Sequence, residues 1–334
     1  MTTWRCTAEC LHCGTGSSPR ERHALSLEQM TRVIDQASDN EYLVVVFTGG
    51  EPTLAGANLL AAIKYARKRN LVTRIVTNGY WALSPSAARH KVRRLFDAGL
   101  DEINFSTGDE HARFVPLERL FLAARAAIER QLPLTIMVET RAQRRITAAA
   151  IAKHPDYVRL RRDHPNVAIP LRESPWMPIE PDLIENYPAG MAADRSNVMA
   201  RKGCDSVLTT TTIQADGSIA ACCGLGMRTV PELLVGHIEN TTLAQADERA
   251  GNDFLKHWLR VEGPERILAW AAEHDTSIEW EGMYAHRCQA CIRLYRDTSV
   301  RRVIKDFHSE KIVDVIASEY ILFYAPEGES VSND

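Results

Sequence analysis

The chain has 334 residues, 45% of them apolar and 25% charged, an ordinary globular mix with length for two domains, or one large and one small. A formal net charge of −3 supplies no global field toward nucleic acid or an anionic membrane. No window holds about 18 uninterrupted apolar residues, so a transmembrane helix is not expected.

The polar opening Met1-Thr2-Thr3-Trp4-Arg5 lacks the apolar core of a signal peptide and leads straight into Cys6-Thr7-Ala8-Glu9-Cys10-Leu11-His12-Cys13-Gly14. Three thiols spaced this closely can converge from one loop on one metal centre, and soft thiolates select iron–sulfur clusters or zinc. A structural zinc site is normally closed by four protein ligands. A four-iron cluster held by only three cysteines leaves one iron open. The eight cysteines fit metal or redox duty in a reducing cytoplasm better than a disulfide framework.

Beyond a turn-rich segment, Ser26 with Gln29 as capping-box partner starts a helix whose face carries Leu27, Met30, Val33, Ile34 and Ala37. The apolar run Tyr42 to Phe47 reads as a strand buried on both faces, ending in Thr48-Gly49-Gly50-Glu51-Pro52. Helix 59–68, strand 72–77, helix 85–98, strand 102–105, helix 116–130, strand 134–139, helix 146–153 and a short strand at 166–170 follow. Alternation of this kind predicts parallel β/α units. Active sites in parallel barrels gather at the carboxyl ends of the strands, which nominates Thr77, Asn78, Ser106, Asp109, Glu139 and Arg141. His111 shares the Asp109 loop and is a candidate acid or base with Asp109. The arginines at 141, 144 and 145 and at 159, 161 and 162 read as solvated faces.

The CxxxCxxC loop with the glycine-glycine-glutamate run resembles the radical S-adenosylmethionine (radical SAM) enzymes. That resemblance implies a partial (β/α)6 barrel over residues 1–170 and a 4Fe–4S cluster on Cys6, Cys10 and Cys13. Its open iron would chelate S-adenosylmethionine and yield a 5′-deoxyadenosyl radical that abstracts a substrate hydrogen. It further implies that Gly49, Gly50 and Glu51 meet the cofactor's amino group, that Ser106 and Arg141 reach its carboxylate and ribose, and that flavodoxin or ferredoxin donates electrons.

Past Pro170 the pattern changes. Residues 171–203 read as a connection, with Trp176 between Pro175 and Pro178. Cys204 precedes the β-prone run 207–213, the turn Asp216-Gly217, and Ser218 to Cys223, a hairpin signal. Cys288-Gln289-Ala290-Cys291 then supplies two further thiolates, so Cys204, Cys222 or Cys223, Cys288 and Cys291 make a four-thiolate set suited to zinc or an iron–sulfur cluster. The pattern Cys204, Gly217, Cys222 is similar to the opening of the SPASM or twitch extensions of radical SAM enzymes, which favours Cys222 and one auxiliary 4Fe–4S cluster. A small α+β domain is thus expected over 204–325, with a polar, mobile tail over 326–334. The apolar stripe Leu255, Trp258, Leu259, Ile267, Leu268 and Trp270 reads as its core, and 303–323 as a closing helix with a short strand.

Enzymes of this resemblance commonly modify peptides, so oxidative cross-linking of a ribosomally made peptide is the expected activity. Because the cysteine loop starts at residue 6, a leader peptide would need a separate partner or another surface. The alternative is a small-molecule dehydrogenase acting on a sugar, alcohol or amino acid, and the remote alternative is a non-catalytic zinc protein.

Overall fold

A computed structural model describes residues 1–176, 178–179 and 183–324; the tail expected over 326–334 lies outside the described residues. The Ser26 hydroxyl accepts from the Gln29 N–H and the Gln29 side chain from the Ser26 N–H, which starts α1 (Leu27–Asp39) and buries Met30, Ile34 and Ala37.

In chain order follow β1 (Val44–Phe47), α2 (Ala57–Lys68), β2 (Val72–Thr77), α3 (Pro85–Asp97), β3 (Glu102–Thr107), a short α4 (Asp109–Ala112), α5 (Leu117–Glu129), β4 (Leu134–Thr140), α6 (Ala148–Lys153), α7 (Pro155–Asp163) and β5 (Leu171–Pro175). All five strands are parallel, in the order β1-β2-β3-β4-β5. Ile75, Ile103, Phe105 and Ile136 point from the sheet into the helical layer and are fully buried, each stabilising the fold by roughly 1.5–3 kcal/mol. The opposite face carries Arg74 paired with Glu102 on the neighbouring strand at 2.7 Å.

Four expectations are corrected, the last of them at the closing helix. The strand placed at 166–170 lies at Leu171–Pro175, because Pro170 has no N–H to donate; its carbonyl still accepts from Ile136, and regular pairing begins one residue later. Strand β1 is not buried on both faces: Val44 and Val46 are each 40% exposed at the sheet edge. Beside its end runs the N-terminal segment, where Thr3 bridges to Gly49 in parallel, Thr2 N–H donates to Thr48 O, and Glu51 N–H donates to Arg5 O. The run 207–213 is a strand only at β6 (Thr212–Ile213); residues before it turn, with Leu208 at φ +64°.

The Asp216-Gly217 turn closes β6 onto β7 (Ser218–Ala220), and β8 (Leu234–His237) adds an antiparallel third strand. Six helices complete the described chain: α8 (Leu243–Gly251), α9 (Phe254–Val261), α10 (Pro264–His274), α11 (Arg287–Arg296), α12 (Thr298–Phe307) and α13 (Ile312–Phe323). The closing helix expected over 303–323 is therefore broken at a 3-10 turn, His308–Lys311, and no strand follows it among the described residues. Trp258, Leu259, Ile267 and Leu268 form the buried centre of a second core with Cys222, while Ile213, Ile219, Val235 and Leu243 join the core of the parallel layer. The three-stranded sheet is thus welded to the first layer, with Arg32 donating to Ile238 O and Tyr42 to Asp247, both at 2.9 Å. No described helix is long and apolar enough to cross a membrane.

Candidate functional site

Cys6, Cys10 and Cys13 stand on a loop pinned at both ends, where Cys6 N–H donates to Ser18 O at 3.0 Å and Gly16 N–H to Cys13 O at 2.8 Å. All three thiols are half-buried. Burial pushes Cys6 up to about 11 and Cys10 higher still, with the neighbouring Cys13 adding to Cys10. Soft donors on one short loop suit a metal centre, whose binding would release their protons. His12 lies within the loop at φ +57°, its ring 4.0 Å from Glu185.

Gly49 and Gly50 have a reason to be glycine that the sequence did not suggest. A Cβ on Gly49 would sit 2.2 Å from Thr3 O, and one on Gly50 2.3 Å from Arg5 O, so both let the cysteine-bearing strand approach. Glu51 is fully buried, and its carboxylate accepts from Thr53 N, Thr53 Oγ1, Thr77 Oγ1 and Asn78 N at 2.6 to 3.1 Å. Its oxygens are engaged inside the protein rather than presented at the surface. Burial nevertheless holds the carboxyl above its ordinary value. Asn78 extends the ladder, with its side-chain amide donating to Thr7 Oγ1 at 3.1 Å and lying 3.8 Å from Cys6 Sγ. Thr77 thus braces Glu51, and Asn78 braces the thiol loop.

Above β3 and β4, Asp109 accepts from the N–H groups of Arg145 and Ile146 and fastens the loop after β4. His111 Nδ1 lies 2.9 Å from Glu139 Oε2, and its ring meets Trp176 edge-on at 5.7 Å. Asp109 and His111 therefore point to different partners. Arg141 reaches Glu110 at 3.4 Å and Glu185 at 3.7 Å. Ser106 is half-buried on β3 opposite Met137. Glu110 was not singled out from the sequence, yet it joins the parts: its carboxylate accepts from Leu11 N–H at 3.1 Å and pairs with Arg113 and Arg141. Acidic neighbours such as Asp109-Glu110 at a strand end give no signal of which one turns inward.

The second set of thiols gathers around α11. Cys222 is 6% exposed whereas Cys223 is exposed and bonded to Ser206 Oγ at 2.7 Å. The point that a Cβ on Gly224 would occupy is 3.2 Å from Cys222 Sγ and 3.5 Å from Cys288 Sγ, a cradle that a larger residue would fill. Burial pushes Cys222 up to about 11 and Cys291 well above its ordinary value, with Cys204 adding to both and Cys288 to Cys291. Among the described residues no three His, Cys, Asp or Glu side chains are closed up as a metal-binding group. The donor chemistry and the cradle fit a four-thiolate centre; the sulfurs approach without closing.

The two thiol loops touch. Gly226 N–H donates to Gly14 O at 2.8 Å, and Arg228 donates to Thr15 O and Gly16 O at 2.9 Å with its guanidinium 3.5 Å above the Trp4 ring. By contrast, a surface groove of about 630 Å³ lies between α3 and α5, lined by Arg89, His90, Arg93 and Arg130, away from these loops.

Residues 2–158 match the family described as the Radical SAM superfamily. The chain is 36% identical over 111 residues to the PqqA peptide cyclase of Gluconobacter oxydans, covering 32% of this chain and 28% of that one. It is 26% identical over 112 residues to the putative peptide biosynthesis protein YydG of Bacillus subtilis, covering 33% and 35%. To the Fe-coproporphyrin III synthase of Methanosarcina barkeri it is 30% identical over 105 residues, covering 31% and 25%. The matched stretch spans about a third or less of these curated relatives' own lengths.

Proposed function

We propose, because residues 2–158 match the Radical SAM superfamily, that the chain is a radical SAM enzyme that oxidatively modifies a peptide, with cross-linking as the preferred outcome. The observation that supports this reading is the backbone contact between the loop after Cys13 and the loop after Cys222, Gly226 N–H donating to Gly14 O. When bound, the cluster and S-adenosylmethionine supply one-electron cleavage of a sulfonium and removal of a hydrogen atom from an unactivated carbon.

In this reading Cys6, Cys10 and Cys13 hold the catalytic cluster. Gly49 and Gly50 bring that loop over the sheet, and Glu51 with Thr77 and Asn78 keeps it there. Ser106 and Arg141 stand at the strand ends where the cofactor's polar groups would lie. His111, held by Glu139, is the candidate proton carrier, and Asp109 shapes the loop. Cys204, Cys222, Cys288 and Cys291 would hold an auxiliary 4Fe–4S cluster, which would supply an electron acceptor. Flavodoxin or ferredoxin supplies the first electron. The peptide names of two relatives support the substrate class. A second reading, a small-molecule dehydrogenase, is supported by the relative named for a coproporphyrin.

The test is iron, sulfide and zinc content of anaerobically purified protein beside the Cys6→Ala, Cys10→Ala, Cys13→Ala triple variant. About eight irons falling to about four in the variant supports two four-iron clusters. About four irons lost in the variant, with zinc retained, assigns the second set to structure and removes the oxidative step. Zinc alone in both proteins sinks the proposal. With two clusters established, a mass loss of two hydrogens on a peptide or on a small molecule separates the two substrate readings.

A further inference from the structure

Helix α13 is apolar around most of its circumference, a composition that belongs in an interior. Within the described chain only its inner face is covered. Val315 is buried in the second core, and Glu319, also buried, accepts from Arg260 of α9 at 3.1 Å and lies 2.6 Å from His257 Nδ1. Arg260 also lies 3.8 Å over the Phe323 ring. On the opposite side Val313, Ile316, Ala317, Tyr320, Ile321 and the C-cap Tyr324 recur at helical spacing and form one exposed stripe, Val313 open by 75% and Ile321 by 68%. Eight of the twenty large apolar side chains exposed among the described residues lie in the stretch 312–324. With about 150–200 Å² for each full side chain, their exposed parts come to on the order of 800 Å². The largest apolar patch of an ordinary monomer is about 300–600 Å², and a stable interface takes about 800 Å² from each partner.

The chemistry of the stripe narrows what covers it. The helix is too short to span a bilayer, and residues 312–324 contain no lysine or arginine to meet lipid headgroups. The ten residues that follow hold one large apolar side chain, Val331, too little to pave it. We propose that α13 docks on α13 of a second copy of this chain, antiparallel about a two-fold axis at the level between Ser318 and Glu319. That axis sets Val313 opposite Tyr324, Ile316 opposite Ile321 and Ala317 opposite Tyr320, so a large ring faces the smallest side chain and each of these contacts is apolar. Asp314, the exposed charge beside the stripe, then stands at opposite ends of the pair, whereas parallel packing would bring two carboxylates together.

The experiment measures the mass of the anaerobically purified full chain by sedimentation equilibrium, beside Tyr320→Glu, Ile321→Glu and Val158→Glu, with circular dichroism to check folding. Val158 is an exposed apolar residue of α7, outside the stripe. The parent and Val158→Glu are expected at twice the mass of one chain at about 10 μM. The two stripe variants are expected at the mass of one chain, their association weakened about 100-fold or more because each dimer would bury two unpaired carboxylates. A parent of single mass overturns the inference, and so does a single-mass parent that pellets with phosphatidylcholine vesicles, which assigns the stripe to lipid. A dimer that persists in both Tyr320→Glu and Ile321→Glu places the interface elsewhere and overturns it equally.

Discussion

Gly226 donates its N–H to the carbonyl of Gly14 at 2.8 Å, so the loop that follows Cys222 is hydrogen-bonded to the loop that follows Cys13. Residues more than two hundred positions apart thereby share one backbone contact, and each thiol loop leans on the other.

Replacing Gly226 should loosen this joint. It sits at φ +77°, and an added Cβ would lie 2.4 Å from Ile292 Cδ1. Gly226→Ala is expected to cost roughly 2–4 kcal/mol from the left-handed backbone and overpacking together. Urea unfolding measures it, and hydrogen exchange should show lost protection over residues 13–16. An unchanged unfolding midpoint would refute the joint.

Arg228 works through planarity. It donates to Thr15 O and Gly16 O while covering Trp4, contacts worth about 2–3 kcal/mol together. Arg228→Ala should lose that much. Arg228→Lys should recover little of it, because an ammonium cannot both stack and reach two carbonyls. Equal stability of the lysine variant and the parent would show that charge alone matters.

Glu110 should matter to the first thiol loop although it carries no thiol. Its carboxylate is only 9% exposed, and Glu110→Ala frees Leu11 N–H and leaves Arg141 with Glu185 alone. The expected loss is about 2–3 kcal/mol, discounted because Arg113 is largely exposed. Iron retained after gel filtration should fall at the first site and not at the second, a selectivity that iron counts in the Cys6, Cys10, Cys13 alanine background can check.

Glu51 sets a pH dependence. Burial raises its carboxyl above the ordinary 4.5, even against the donors Thr53, Thr77 and Asn78. Folded protein then holds this proton more tightly than unfolded chain. The contribution is full below 4.5 and is lost as pH rises through the folded value. Metal-free protein should therefore lose stability relative to Glu51→Gln as pH rises above the ordinary 4.5. Parallel urea midpoints for both proteins would disprove it.

Much of the fold was legible because it is encoded locally. The Ser26-Gln29 capping box, the Asp216-Gly217 turn and the alternation of apolar runs with helical stripes act over a few residues, and each stands where its chemistry predicts. The open faces of Val44 and Val46 were not legible, since an apolar run has the same composition at a sheet edge as at its centre. Nor was the role of Glu110, whose partners Leu11 and Arg141 are remote in sequence.

By itself the sequence determined the soft-donor sets and the parallel β/α order, because ligand type and hydrophobic period are properties of residues and their spacing. Only the tertiary structure decided that Cys222 turns inward while Cys223 turns out, that Glu51 spends its carboxylate on its own chain, and that the two thiol loops meet. Those outcomes depend on which surfaces are desolvated together, and desolvation is a property of the packed whole.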